Sequence, residues 1–189
     1  MRDDVRRLSG LAGWRAREDA PRVSWDRAQE EAGLGFPSAY REFVDVFGAG
    51  EVRGDLGVLD PLLRPGGAAG EGGISRMVRR TTEDIGLQFR AMREESFDLC
   101  PYPVYPEAGG LLVWAGNYNG DICFWLTEGD DPDCWPVIVW HRGRFPDAWS
   151  RYDVGMVEFL LLVVAGETPE LADLAFQDPS VPIWVPEEG

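Results

Sequence analysis

Two apolar runs separated by the dipeptide Asn119-Gly120 constrain the fold of this chain more than any other feature. Residues 111–127 are rich in Leu, Val, Ile, Phe and Trp, which favour strands. Asn and Gly tolerate the positive φ angles of a type I′ turn, so the dipeptide predicts a two-residue hairpin turn. A third β-prone run, Trp135–Trp140, predicts an antiparallel neighbour. We therefore expect a central meander over residues 111–140.

Both faces of these strands carry large apolar side chains, since Leu111 and Val113 alternate with Leu112 and Trp114. A strand that is apolar on both faces is covered on both faces. The cover has to come from helices before, within and after this region. The sequence therefore predicts an α+β fold: a single domain, residues 1–189, with a mostly antiparallel central sheet packed by N-terminal, middle and C-terminal helices.

Apolar residues at helical spacing predict where those helices lie. The most regular set is Tyr40, Phe43, Val44 and Phe47, in a helix that Phe36-Pro37 opens and the glycines from Gly48 end. Further helices are predicted over residues 3–18, 24–33, 75–95 and 154–166, with a short one after Thr168-Pro169. The glycine-rich segment 64–73 predicts an irregular loop, and the tail 181–186 is apolar but interrupted by prolines.

The formal net charge of −15 argues against nucleic acid and anionic membrane as partners, because either requires a basic face. It favours a basic partner, or serves solubility alone. The three cysteines, Cys100, Cys123 and Cys134, lack metal-site spacing and indicate reduced thiols in a cytoplasmic protein. No apolar run is long enough to cross a bilayer.

The sequence offers few residues for catalysis or metal binding. His141 is the only histidine, and its place at the end of a strand favours a satisfied structural or surface role. The run Asn117-x-Asn119-x-Asp121 imitates part of a calcium loop, but Ile122 occupies the position that must be glycine. We therefore expect no catalytic residue, no cofactor and no metal ion.

The densest acidic segment follows the second strand of the hairpin and contains Glu128, Asp130, Asp131 and Asp133. Such a segment is either a solvated turn or a contact surface for a basic partner. The two interpretations are about equally supported by the sequence. The second makes these four residues the candidate partner-binding site.

Taken together, the ordered motifs resemble the SUKH superfamily, which contains the yeast cell-wall-assembly regulator and many bacterial immunity proteins. The resemblance covers about residues 20–166 and leaves the N-terminal helix and C-terminal tail as extensions. It is carried by an ordered set of motifs: Trp25, Gly33-Leu34, Phe36-Pro37, Tyr40, Phe43, Gly48–Gly50, Gly109–Trp114, Asn119–Asp121, Trp135–Val137 and Val157–Leu160.

This resemblance implies a non-enzymatic immunity protein that binds and neutralises a cognate bacterial toxin, a nuclease or another effector acting in the cytosol. The positions that recur in the family, here Trp25, Pro37, Tyr40, Gly120 and Asp121, are structural, and no catalytic residue carries over. A regulatory or scaffold domain is the main alternative. A small carboxylate-dependent hydrolase is a third, lower-ranked one.

Overall fold

The computed structural model describes residues 1–15, 24–59, 78 and 80–187. Its centre is a seven-stranded sheet in the order β6-β5-β4-β3-β2-β1-β7, with every neighbouring pair antiparallel. The α+β fold class and the predicted meander are confirmed. The strands are β1 Gly50–Val52, β2 Leu56–Val58, β3 Leu111–Gly116, β4 Ile122–Leu126, β5 Val137–Trp140, β6 Trp149–Tyr152 and β7 Trp184–Pro186.

Helices cover both faces of this sheet, as the doubly apolar strands require. Four of the described helices pack on one face with Trp114 and Trp125, and one packs on the other with Phe124. The first four are α1 Asp3–Ala12, α2 Trp25–Ala32, α3 Ser38–Phe47 and α5 Met156–Ala165, and the single one is α4 Ile85–Glu95. Within the described residues, no helix has the length and apolar character needed to span a membrane.

A β-bulge at Trp114 sets which side chains share a face. Val113 pairs with Phe124 and Ala115 pairs with Cys123, so Trp114 is the extra residue in β3. Strict alternation would place Ala115 with Val113. The bulge places Ala115 in the same cluster as Trp114, beneath the four-helix layer.

The turn between β3 and β4 differs from the predicted two-residue turn. The Gly120 amide donates to the Asn117 carbonyl and the Asn117 amide to the Asp121 carbonyl, which makes a three-residue loop, Tyr118–Gly120. Only Gly120 has a positive φ, 90°, whereas a type I′ turn would need one at Asn119 too. The physical reason is side-chain bonding, because Asn117 Oδ1 accepts from the Asp121 amide at 2.9 Å and fixes the wider loop.

The two ends of the chain, predicted as extensions, belong to the main fold. Val5 and Leu8 of α1 are buried in the same cluster as α3 and α5. At the other end, β7 pairs with β1 and buries Trp184, although the prolines of the tail suggested no strand. Gly50 allows this approach, since a Cβ there would lie 2.6 Å from the Trp184 ring.

Several predicted boundaries shift. The first helix ends at Ala12 rather than at residue 18, and α3 begins at Ser38, directly after Pro37. The predicted helix 75–95 is described as a π-helical turn, Arg80–Asp84, followed by α4. Most of its first turn and the whole glycine-rich segment 64–73 lie outside the described residues.

Candidate functional site

The four predicted partner-binding residues lie on the connection between β4 and β5, and all four are exposed. We call residues 128–133 the acidic loop. Glu128 is neutralised within the chain, because Arg151 donates to both of its carboxylate oxygens, at 2.6 and 3.3 Å. Arg151 also donates to Asp153 at 2.7 Å, so this end of the loop is tied to β6.

Asp131 and Asp133 hold the loop in place. Asp131 accepts from the Asp133 amide at 3.0 Å and caps the 3₁₀ turn Pro132–Cys134. Asp133 accepts from the amide of Ser38 and, at 2.8 Å, from its hydroxyl, so that it lies at the N-terminus of α3. The acidic loop is therefore anchored on both sides, to α3 and to β6.

Three charges on this loop remain uncompensated. Asp130, Asp131 and Asp133 are exposed and form no ion pair with any residue that the structure describes. Hydrogen bonds of the chain itself fix the positions of Asp131 and Asp133, and Asp130 is their neighbour in the loop. The loop therefore presents three neighbouring negative charges on a rigid support.

A cleft of about 790 Å³ opens at the other end of β4. Four connections that are distant in sequence form its walls: the β1–β2 turn, the β3–β4 turn, the segment after β5 and the segment after α5. They contribute Asp55, Asp121, His141, Arg142, Asp173 and Phe176, among others. None of the residues predicted to bind a partner lines it.

Asp121 organises the cleft by joining two of these connections. It is 7% exposed. One carboxylate oxygen accepts from the Arg142 amide at 2.9 Å, and the other accepts from the Asn117 side chain at 3.2 Å. The residues that imitated a calcium loop therefore brace the hairpin turn against the segment that follows β5.

Asp55 is the least compensated carboxylate of the cleft. It is 4% exposed, and its hydrogen bond comes from the Tyr118 amide, at 3.1 Å, on a single oxygen. Burial raises the pKa of Asp55, and the charges of Glu51 and Asp121 raise it further, while the Tyr118 amide opposes the shift. No cationic side chain among the described residues forms an ion pair with it.

His141 is buried in the cleft wall with its hydrogen-bonding capacity unmet. It is 1% exposed, and neither ring nitrogen has a hydrogen-bond partner among the residues that the structure describes. Its Nδ1 lies 4.0 Å from Asp121 Oδ2, beyond hydrogen-bond distance. Burial lowers its pKa, as does Arg144, against the opposite effect of Asp121. The expectation of a satisfied or surface histidine is wrong, because the ring is buried and its nitrogens are unpaired among the described residues.

The side chains of the cleft suit binding and charge compensation. A histidine next to a carboxylate could orient a nucleophile, and the described residues that line the cleft include no Ser, Thr, Cys or Lys. Within the described part of the chain, no three His, Cys, Asp or Glu side chains are placed to hold a metal ion. What the cleft offers an incoming group is an open carboxylate, an imidazole and two guanidinium groups.

Sequence reasoning missed this cleft because its residues come from four separate segments. The sequence marks Asp121 as part of a calcium-like run and as a recurring structural position of the resemblance, and it marks His141 as the lone histidine. Asp55 and Asp173 carry no local signal at all.

Comparison of the chain with protein-family models, curated proteins and solved structures gave no match.

Proposed function

We propose that this chain is a non-enzymatic immunity protein that binds and neutralises a protein toxin with a basic surface, in the cytoplasm. The observation that carries the proposal is the acidic loop, on which Asp130, Asp131 and Asp133 are exposed and without ion pairs to the described residues, and on which hydrogen bonds hold Asp131 and Asp133. The net charge of −15 points to the same kind of partner. The resemblance of the ordered motifs to the SUKH superfamily supplies the immunity role.

The proposed role of the acidic loop is to guide the encounter. Charges at the edge of an interface act mainly on the association rate, because they attract the partner before contact is made. Since Asp131 and Asp133 are already held in place, binding does not have to order these two carboxylates.

The first experiment is co-expression of this protein with candidate toxins encoded by neighbouring genes, with growth of the host as the measurement. We expect one toxin to be neutralised in proportion to the amount of this protein. Failure to rescue growth, together with tight binding to a housekeeping protein, would favour the regulatory or scaffold alternative. Catalytic turnover lost on changing one carboxylate would favour the hydrolase.

The second experiment tests the loop by its charge alone. In the triple variant Asp130→Asn, Asp131→Asn and Asp133→Asn, each amide keeps an oxygen that can accept the hydrogen bonds of the loop. We expect slower association with the toxin and an association rate that depends less on salt. Salt slows the wild-type association by screening these charges, since the Debye length falls from about 10 Å at 0.1 M to about 3 Å at 1 M. Dissociation should change little.

The matched control removes three charges from another face. Glu94, Glu95 and Asp98 are exposed and free of ion pairs with any residue in the described ranges, and they lie at the end of α4 on the opposite face of the sheet from α3. A triple Gln, Gln, Asn variant at these positions has the same net charge as the loop variant. Equal association rates for the two variants would count against the loop as the toxin-facing surface.

A further inference from the structure

The cleft contains a buried carboxylate with room for a partner. One oxygen of Asp55 accepts the Tyr118 amide, and the other accepts no hydrogen bond from the residues that the structure describes. A buried carboxylate without a cation is costly, because burial removes its hydration without replacing it. Within a cleft of about 790 Å³, an incoming donor has space to reach that oxygen.

The charges around Asp55 favour a cation as this donor. Both oxygens of Asp121 are occupied by hydrogen bonds, and Asp173 is paired with Arg144 at 2.8 Å. Glu51 adds a further negative charge near Asp55 and accepts from the Tyr118 hydroxyl at 2.6 Å. The buried side of the cleft is therefore negative, and its open acceptor is Asp55.

Among the described residues that line the cleft, Arg142 is a cation that could compete, whereas Arg144 is paired with Asp173. It is exposed, and its stem lies against Gly120, where a Cβ would meet Arg142 Cδ at 2.8 Å. Its guanidinium forms no ion pair with a residue in the described ranges. Removing the charge of Arg142 therefore tests the sign of the charge on the group that binds in the cleft. The removal should strengthen binding of a cation and weaken binding of an anion.

Two exposed aromatic residues belong to the connections that form the cleft, and the side chain of one of them, Phe176, lines it. Phe176 lines it and is 52% exposed, and Tyr118, whose amide binds Asp55, is 77% exposed. Aromatic faces attract guanidinium groups, and exposed aromatic residues are common anchors in protein interfaces. The cleft thus combines a negative floor with an aromatic edge.

We infer that this cleft receives an arginine side chain of the partner protein, whose guanidinium pairs with Asp55 and whose stem contacts Phe176. The inference rests on the proposed function and assigns that partner a second point of contact. The acidic loop and the cleft lie at opposite ends of β4, so each can be changed without changing the other. Their effects on association and dissociation can therefore be measured separately. A cation paired in a desolvated site acts on dissociation, whereas exposed charges act on association.

The cleft is tested first without any partner, by NMR titration with N-acetyl-arginine amide and with its uncharged analogue N-acetyl-citrulline amide. We expect the arginine probe to shift the Tyr118 and Arg142 amides, which donate to Asp55 and Asp121. Citrulline should bind about tenfold more weakly or worse, which is the loss of one charged hydrogen bond. Equal binding of the two probes, or no shift at Tyr118, would overturn the inference.

Two variants of the cleft and one control complete the test. Asp55→Asn keeps an acceptor for Tyr118 and should weaken the arginine probe by about tenfold. Arg142→Gln should tighten it; weaker binding to this variant would contradict a cationic occupant. Asp147→Asn removes the same charge from an exposed residue that does not line the cleft, and it should leave binding unchanged.

The same variants separate this inference from the proposed function. With a neutralised toxin in hand, Asp55→Asn should speed its dissociation by about tenfold or more and leave its association nearly unchanged. An unchanged dissociation rate would refute the cleft as the anchor while leaving the immunity function in place. An arginine-binding cleft in a protein that rescues no toxin would refute the immunity function instead.

Discussion

Asp133 is exposed and negatively charged, but it should matter for stability as well as for binding. Helix α3 begins at Ser38 without a cap of its own, since Pro37 occupies the N-cap position and provides no side-chain acceptor. Asp133, far along the chain, accepts from both the amide and the hydroxyl of Ser38. We predict that Asp133→Ala lowers the free energy of unfolding although it removes no buried side chain.

The magnitude follows from two contributions. Loss of an N-cap acceptor costs about 0.5–2 kcal/mol. Loss of a carboxylate from the positive end of a helix costs about 0.3–1 kcal/mol at low salt. Because Asp133 is exposed, we expect a value near the bottom of that range. The expected destabilisation is about 1–2 kcal/mol. Asp133→Asn should lose much less, because its amide oxygen can still accept from Ser38.

The assay is urea unfolding at pH 7, followed by tryptophan fluorescence, with the midpoint compared at constant m value. Asp130→Ala is the matched control, because Asp130 lies in the same loop, is exposed and makes no hydrogen bond within the described residues. The free energy of unfolding of this variant should differ from that of the wild type by less than about 0.5 kcal/mol. Equal midpoints for Asp133→Ala and Asp130→Ala would refute the capping argument. A fall in m would instead indicate a change in compactness.

Two further predictions concern the cleft. The pKa of His141 is lower in the folded chain than in the unfolded one, so below about pH 6.5 the unfolded state takes up a proton that the folded state resists. Wild-type stability should therefore fall relative to His141→Gln as the pH drops below that value, by at most about 1.4 kcal/mol per unit; parallel pH profiles would contradict this. Gly120→Ala and Gly129→Ala should destabilise by similar amounts, because both glycines have positive φ and a Cβ at Gly120 would meet only the exposed, flexible side chain of Arg142. Thermal melts of the two variants compare them, and a much larger loss at Gly120 would show that the Arg142 side chain cannot move aside.

The parts of the fold that the sequence predicts are those with a strong local pattern. Tyr40, Phe43 and Phe47 repeat at helical spacing and are buried in α3. The apolar runs of β3, β4 and β5 are buried almost throughout, as doubly covered strands must be. In these segments the local preference and the tertiary burial agree.

The parts that escape prediction depend on contacts between distant residues. β7 follows prolines in an apolar tail and becomes a strand only because β1 offers a free edge. β6 has a mixed pattern of burial and little local signal. The turn at Gly120 is widened by the bond between Asn117 and Asp121, which an Asn-Gly rule does not include. The acidic loop was located correctly in sequence, whereas its anchoring through Ser38 depends on tertiary contact.

The pairing of β7 with β1 has a consequence for the order in which the molecule is made. During synthesis β1 emerges long before Trp184, so its outer edge lacks its partner while the rest of the sheet is assembled. An unpaired edge can recruit a strand from another chain, and nascent chains on one messenger are close together. Glu51, in the middle of β1, places a charge on that short edge and disfavours such pairing until the last strand arrives.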